Sequence, residues 1–226
     1  IKQLFSWLAE HRWLSHDPAL TLNLPKVPYR LSHRLLTGEQ ITQLLAVIDL
    51  DSPTGLRDRS IIETLYSTGL RRSELIHLDI GDIDRAEGMV WVRQGKGNKD
   101  RRVPIGERAI QWIERYLDEW RNQRPRANQS QVLYLSEKGY PLRIGDVGQK
   151  IRDYKEQANI QQPGGCHLFR HAMATHMLDN GADIRHVQEM LGHVSLSSTQ
   201  IYTQVSKQAL KKVHSQTHPL ALKEQK

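Results

Sequence analysis

One short stretch of the chain departs from helical spacing of its apolar residues, and it limits the fold more than any other feature. GMVWVRQ at 88–94 is rich in valine and tryptophan, which is typical of a β-strand. GKGNKD at 95–100 supplies two glycines for a turn, and RRVPI at 101–105 returns as a second strand. The pattern predicts a β-hairpin with a basic tip and return. The basic residues there are Lys96, Lys99 and Arg101.

Helical spacing dominates the rest of the chain. Ile110, Ile113, Leu117 and Trp120 recur at intervals of three and four residues, which predicts a helix with a buried apolar stripe. The sequence therefore predicts a mainly α fold with a small antiparallel β-sheet, an α+β class. Further helices are predicted at 41–48, 56–67, 72–78, 144–158, 167–180, 182–191 and 206–215.

The domain organisation is marked by prolines. The first residues have a helical pattern, with Leu4 and Leu8 one turn apart, and DPALTLNLPKVPYR then carries three prolines that favour extended chain. A new helix starts at Thr37, where Thr37 and Gln40 are spaced as a capping box. The predicted organisation is the last helix of an N-terminal domain at 1–24, a linker at 25–36, and a second domain at 37–226.

Charge and cysteine content indicate which class of partner the protein binds and in which cellular compartment it works. The 226 residues include 32 Lys and Arg against 25 Asp and Glu, a surplus that favours a polyanionic partner such as nucleic acid. No apolar stretch approaches the roughly 20 residues that a membrane span needs, and no secretion signal opens the chain. The single cysteine, Cys166, excludes an intramolecular disulfide and fits a reducing compartment. We expect a cytoplasmic protein.

The segment CHLFRHAMATH places three polar side chains on one helical face. Arg170 and His171 follow His167 at three and four residues. Two histidines four apart are also a metal-ligand spacing, which leaves a zinc hydrolase as an alternative. The guanidinium between them repels a cation and binds an anion, so an oxyanion site is favoured. A solvated basic helix face is the remaining interpretation.

Two further segments carry candidate functional residues. In STGLRRSEL, Arg71 stands where a glycine turn meets a helix start, an arrangement suited to an anion, and Glu74 is a candidate ion-pair partner for Arg71 or Arg72. In LGHVSLSSTQIY, Gly192 is a helix C-cap candidate directly before His193, and Tyr202 follows nine residues later. Tyr202 is either a packed side chain or a nucleophile.

Taken together, these motifs resemble those of a known enzyme family. TGLRRSEL, GKGNKDRRVPIG, HLFRHAMATHML, LGHVSLSSTQIYTQV and LKKVHSQTHP are similar to tyrosine recombinases of the phage-integrase family, and most of all to the bacterial Xer recombinases. The resemblance implies that residues 37–226 are a tyrosine recombinase catalytic domain, preceded by the end of a core-binding domain. The implied catalytic residues are Arg71 and Arg170 as phosphate clamps, Lys96 on the hairpin, His167, His193, and Tyr202 as the nucleophile.

The resemblance also implies a reaction and partners. Tyr202 would attack a DNA phosphodiester, forming a 3′-phosphotyrosyl link and then a Holliday junction, without metal, ATP or any other cofactor. The partners implied are a double-stranded DNA recombination site, a homo- or hetero-tetramer with a second recombinase joined through the C-terminal helix, and an activating accessory protein. The implied role is resolution of chromosome or plasmid dimers at cell division. A mobile-element integrase and a non-catalytic DNA-binding protein are the alternatives.

Overall fold

The computed structural model of the protein describes residues 1–22, 35–93 and 100–192. The chain divides into two compact units, Ile1–Leu31 and Ser32–Lys226. The described residues are mostly helical with one small antiparallel sheet, which confirms the predicted fold class. The helices are α1 (Lys2–Glu10), α2 (Gly38–Ala46), α3 (Gly55–Thr68), α4 (Arg72–Ile76), α5 (Glu107–Glu119), α6 (Ile144–Gln157), α7 (His167–Asp179) and α8 (Ile184–Leu191). No helix in these ranges is long and apolar enough to cross a membrane.

The first unit consists of α1 and the residues that fold back beside it. The ammonium group of Lys2 donates a hydrogen bond of 2.9 Å to the carbonyl of Leu22. Trp7 and His11 stack one turn apart, with ring centroids separated by 4.2 Å. These contacts hold the residues after α1 against the helix itself.

Helix α2 begins as its sequence predicts. The Thr37 hydroxyl accepts from the Gln40 amide at 3.2 Å, and the Gln40 side chain accepts from the Thr37 amide at 3.1 Å. This reciprocal pair satisfies two backbone donors that the first helical turn leaves open. The predicted capping box is confirmed.

The sheet contains both strands of the predicted hairpin, whose turn lies outside the described residues, and one strand that the sequence did not indicate. Strand β1 (Ile83–Asp84) pairs with β2 (Met89–Val92), and β2 pairs with β3 (Arg101–Pro104), all antiparallel. Val90 lies opposite Val103, and both are buried, whereas Trp91 is exposed. This alternation is what a sheet with one face on the core requires.

Helix α3 lies at the centre of the second unit and packs against α5 and α7. It is buried on several faces, so its polar side chains need partners inside the protein. The Tyr134 hydroxyl bonds to the hydroxyls of Ser60 at 3.1 Å and Thr64 at 2.8 Å. Asp58 accepts from the Tyr154 hydroxyl at 2.9 Å. These bonds fix the orientation of α3, whose last residues lead directly into the candidate site.

Candidate active site

Arg71 is positioned by a tight turn between two helices. Gly69 ends α3 with φ of 64°, a left-handed conformation that glycine adopts without a Cβ clash. A Cβ at Gly69 would also overlap the terminal methyl of Met173 on α7. Two residues later Arg71 begins α4 as its N-cap. The predicted placement of this arginine, between a glycine turn and a helix start, is confirmed.

The side chain of Arg71 is oriented by Glu74. The Arg71 amide donates to Glu74 Oε2 at 2.8 Å, and its Nη1 donates to Oε1 at 2.7 Å. Arg101, the first residue of β3, donates to the same two oxygens through Nη1 at 2.9 Å and Nη2 at 2.8 Å. Of the two partners that the sequence suggested for Glu74, Arg71 and Arg72, the structure shows Arg71, and it adds Arg101.

Glu74 is buried and ionised. Burial alone would raise the pKa of its carboxyl, but hydrogen bonds from Arg101 and Arg71 and the charge of Arg101 outweigh it and lower the pKa to about 2. The Glu74 side chain is 5% exposed. A buried carboxylate of this kind is stable only with its cationic partners in place.

Arg170 is the most enclosed of the predicted site residues that the structure describes. It lies on α7 and is 5% exposed. Its Nη1 donates to the carbonyl of Gly69 at 2.6 Å, and its Nη2 donates to the carbonyl of Leu191 at 2.5 Å. The guanidinium therefore connects the end of α3 to the end of α8, close to the turn that carries Arg71.

His167 is the first residue of α7, and it is partly covered by its neighbours while remaining open to solvent. Partial burial of the ring lowers its pKa, and the charges of Arg170, Arg72 and Arg71 lower it further. The lowered pKa favours the neutral form of the His167 imidazole, which can accept a proton. His171, one turn further along, has a pKa lowered by burial and then by His167 and Arg170.

The start of α7 is held by a buried lysine, Lys155, that was not among the residues predicted from the sequence. Lys155 on α6 donates to the carbonyl of Gly164 at 2.9 Å and also to that of Gln162. Both carbonyls lie in the loop that leads to Cys166, the N-cap of α7. Burial raises the pKa of the Cys166 thiol to about 11, so the thiol stays protonated beside the site.

Arg72 adds a third guanidinium around His167, beside those of Arg71 and Arg170. Its Nη1 lies against Gly148 on α6, where an added Cβ would sit 2.7 Å away. Its positive charge acts on both His167 and Cys166. Within residues 1–22, 35–93 and 100–192, no three His, Cys, Asp or Glu side chains are grouped to hold a metal ion. The described part of the site is a cationic cluster suited to an oxyanion such as phosphate.

The family is settled by comparison with known proteins. The model of the phage integrase family matches residues 34–209. This chain belongs to the phage integrase family. The resemblance found in the sequence motifs is thereby confirmed.

Two curated relatives and one solved structure illustrate the similarity. Tyrosine recombinase XerC 2 of Ralstonia nicotianae is 45% identical over 222 residues, which are 98% of this chain and 64% of that protein. Tyrosine recombinase XerD of Staphylococcus haemolyticus is 39% identical over 98% of this chain and 74% of its own length. The XerH site-specific recombinase, bound to a palindromic difH substrate in a post-cleavage complex, is 26% identical with a TM-score of 0.74, covering 94% of this chain and 63% of its own. The chain thus spans about two thirds of the length of these family members.

Of the residues predicted for catalysis in this integrase-family chain, the structure brings together Arg71, His167 and Arg170. The remaining three lie outside the described residues. They are Lys96, His193 and Tyr202. The sequence interpretation missed the parts played by Arg101 and Lys155. The sequence contained one indirect sign of this role of Arg101. Glu74 needs a cationic partner, but only the neighbouring Arg71 and Arg72 were considered, and Arg101 lies 27 positions away.

Proposed function

We propose that this chain carries the catalytic part of a site-specific tyrosine recombinase, which cleaves and rejoins DNA strands through a covalent 3′-phosphotyrosyl intermediate. The observation that carries the proposal is the cationic cluster, in which the charges of Arg71 and Arg170 act on the ring of His167 in a member of the phage integrase family. Both guanidiniums are held by the fold rather than by solvent, since Arg71 is bonded to Glu74 and Arg170 to two backbone carbonyls.

The chemistry begins with attack on phosphorus. The Tyr202 oxygen bonds to the phosphorus atom and gives up its proton, and the bond from phosphorus to the 5′-oxygen breaks. A free phenol has a pKa of about 10, so it needs a base at neutral pH. His167 suits that role because its lowered pKa favours the neutral imidazole, the form that accepts a proton.

Negative charge grows on the nonbridging phosphate oxygens as phosphorus becomes five-coordinate. Donors fixed beforehand lower this barrier most, because they need no reorganisation when the charge develops. Arg71 and Arg170 supply guanidinium donors, and His193 supplies one more. Lys96 protonates the departing 5′-oxygen as a general acid.

The second half of the reaction reverses the first with a different strand. The 5′-hydroxyl of a partner strand attacks the phosphotyrosyl phosphorus, and the phenol leaves as it regains a proton. Because the tyrosyl ester conserves the energy of the cleaved bond, the exchange needs no ATP. Two such exchanges pass through a Holliday junction.

We extend the proposal to the domains and partners. Residues 1–24 belong to a core-binding domain, residues 25–36 form a linker, and residues 37–226 form the catalytic domain. The DNA partner is a double-stranded recombination site, consistent with the DNA-bound complex of XerH. The recombinase assembles into a homo- or hetero-tetramer with a second recombinase through the C-terminal helix, and an accessory protein activates this tetramer. The protein acts in the cytoplasm, where it resolves chromosome or plasmid dimers at cell division.

The experiment that tests the proposal traps the covalent intermediate. The substrate is a labelled DNA duplex whose two arms have randomised sequence and which carries a nick beside the central base pairs. The protein is incubated with this DNA in the presence of EDTA at about 50 mM salt, where DNA binding is strong. The nick lets the short cleaved strand diffuse away, so the enzyme remains attached to the labelled strand. A denaturing gel should show a protein–DNA band, and sequencing of that DNA identifies the site.

Matched tyrosine variants decide the outcome. Tyr202→Phe should abolish the covalent band, whereas Tyr140→Phe, a change at a half-exposed tyrosine, should leave it intact. The proposal fails if no band forms with the unaltered chain, or if the band survives in Tyr202→Phe.

A further inference from the structure

Arg101 connects β3, α4 and the end of α8 through the hydrogen bonds of a single guanidinium. Its Nη1 and Nη2 donate to both oxygens of Glu74, and its Nε donates to the carbonyl of Met190 at 3.0 Å. The side chain is 12% exposed. We propose that Arg101 is a positioning residue for the reaction: it holds Glu74 in place and keeps Arg71 electrostatically free to bind a phosphate. The inference rests on the proposed function.

The charge balance gives the first reason. Glu74 carries one negative charge and is bonded to two guanidiniums, so the group of Arg71, Glu74 and Arg101 keeps one net positive charge. Without Arg101, Glu74 would pair with Arg71 alone, and that pair would be neutral. Phosphate binding draws on the net charge of a site as well as on its donors. Arg101 therefore offsets the negative charge that would otherwise oppose the substrate at Arg71.

The geometry of the carboxylate gives the second reason. Oε1 of Glu74 accepts from Nη1 of Arg71 and Nη1 of Arg101, and Oε2 accepts from the Arg71 amide and Nη2 of Arg101. Every oxygen thus has one bond from each arginine, and the plane of the carboxylate is fixed. A lysine at position 101 is a single point donor and cannot form the two parallel bonds.

The third reason lies at the end of α8. Met190 belongs to the last turn of this helix, where backbone carbonyls lack partners within the helix. Gly192 caps the helix with φ of 61°, and a Cβ there would lie 3.1 Å from Cδ and Nε of Arg101. The close approach of the Arg101 stem thus depends on glycine at this position. Arg101 and Arg170 together hold the last residues of α8, through Met190 and Leu191 respectively.

A variant series separates this role from a purely structural one. Cleavage of the nicked duplex is measured at saturating DNA for the wild type, Arg101→Lys, Arg101→Met and the double variant Arg101→Met/Glu74→Gln. The matched control is Arg102→Met, which alters the next residue of the strand, an exposed arginine paired with Asp84 at 3.0 Å. Melting temperatures are recorded for every protein.

We expect Arg101→Met to lower the cleavage rate about 100-fold, the scale of losing a fixed donor at a charged transition state, with a much smaller change in DNA affinity. Arg101→Lys should lose about tenfold, and Arg102→Met should stay within about twofold. The double variant should cleave faster than Arg101→Met, because removing the negative charge of Glu74 releases Arg71. A double variant slower than Arg101→Met, or a wild-type rate in Arg101→Met, would overturn the inference.

A binding measurement makes the result independent of DNA cleavage. Inorganic phosphate is titrated into each protein while the Nε–H NMR signal of Arg71 is followed, with Arg71→Lys used to assign the signal. Arg101→Met should weaken phosphate binding about tenfold, whereas Arg102→Met should not. If the wild type forms no covalent DNA adduct, the proposed function fails, and this titration still decides the role of Arg101. Phosphate binding that is absent in the wild type, or unchanged in Arg101→Met, refutes that role.

Discussion

Replacement of Glu74 by glutamine removes a buried negative charge and keeps the shape of the side chain. A carboxyl pKa of about 4.3 in an unfolded chain falls to about 2 in the folded protein. At about 1.4 kcal/mol per pKa unit, this difference corresponds to about 3 kcal/mol of folding free energy. We therefore expect Glu74→Gln to lower the free energy of unfolding by about 3 kcal/mol at pH 7.

The pH dependence of this loss has a defined sign. Because the folded pKa is below the unfolded one, the stabilisation is complete above about pH 5 and is lost as the pH falls toward about 2. The gap between wild type and Glu74→Gln should therefore narrow by about 1–2 kcal/mol between pH 7 and pH 3. The difference in the free energy of unfolding between the two proteins is measured by urea unfolding at both pH values, followed by circular dichroism.

A control and a refuting result complete the test. Glu119→Gln removes a carboxylate that pairs with Arg115 at 2.7 Å on the surface of α5, where both side chains are nearly half exposed. It should change stability little at either pH, since solvent screens exposed ion pairs. A Glu74→Gln protein that matches the wild type at pH 7, or a gap that is the same at both pH values, would contradict the assigned electrostatics.

Three further outcomes follow from the same geometry. Gly69→Ala should destabilise the fold by about 2–4 kcal/mol in urea unfolding, through left-handed strain and a methyl clash, whereas Gly38→Ala, which meets open space, should be neutral or slightly stabilising. NMR titration should give His167 a pKa below that of an ordinary histidine, and Arg72→Met should raise it by removing a nearby positive charge; an unchanged midpoint would contradict this. Lys155→Met should cost about 1–3 kcal/mol, because two loop carbonyls lose their donor, and an unaltered urea midpoint would argue against that loop contact.

Local signals in the sequence were sufficient for the helix ends and for the hairpin. The capping box at Thr37 and the glycine caps at Gly69 and Gly192 depend on residues within one turn of each other. Such short-range chemistry can be recognised from spacing alone. The same holds for the alternating strand that contains Val90 and Trp91.

Contacts between segments that are distant in the sequence could not be predicted from residue spacing. Arg101 was expected among the basic residues of the hairpin, but its partly buried guanidinium is bonded to Glu74, 27 positions earlier in the chain. Strand β1 has two residues and exists only because β2 pairs with it, so it has no pattern of its own. Helix α3 was predicted, but the contact of its buried Asp58 with Tyr154, 96 positions later in the chain, was not. In each case tertiary packing, not local propensity, decides the outcome.

The contacts of Arg170 affect how this chain can change during evolution. One guanidinium closes the carboxyl ends of both α3 and α8, where partial negative charge accumulates on the helix termini. Under the proposed function, a substitution of Arg170 would disturb folding and phosphate binding together, so neither effect would be selected alone. If the proposed strand cleavage were lost in a descendant that keeps this architecture, Arg170 should be retained for folding, and the proposed nucleophile Tyr202 should be replaced first. Inactive members of the family should accordingly be sought by an absent tyrosine beside an intact arginine.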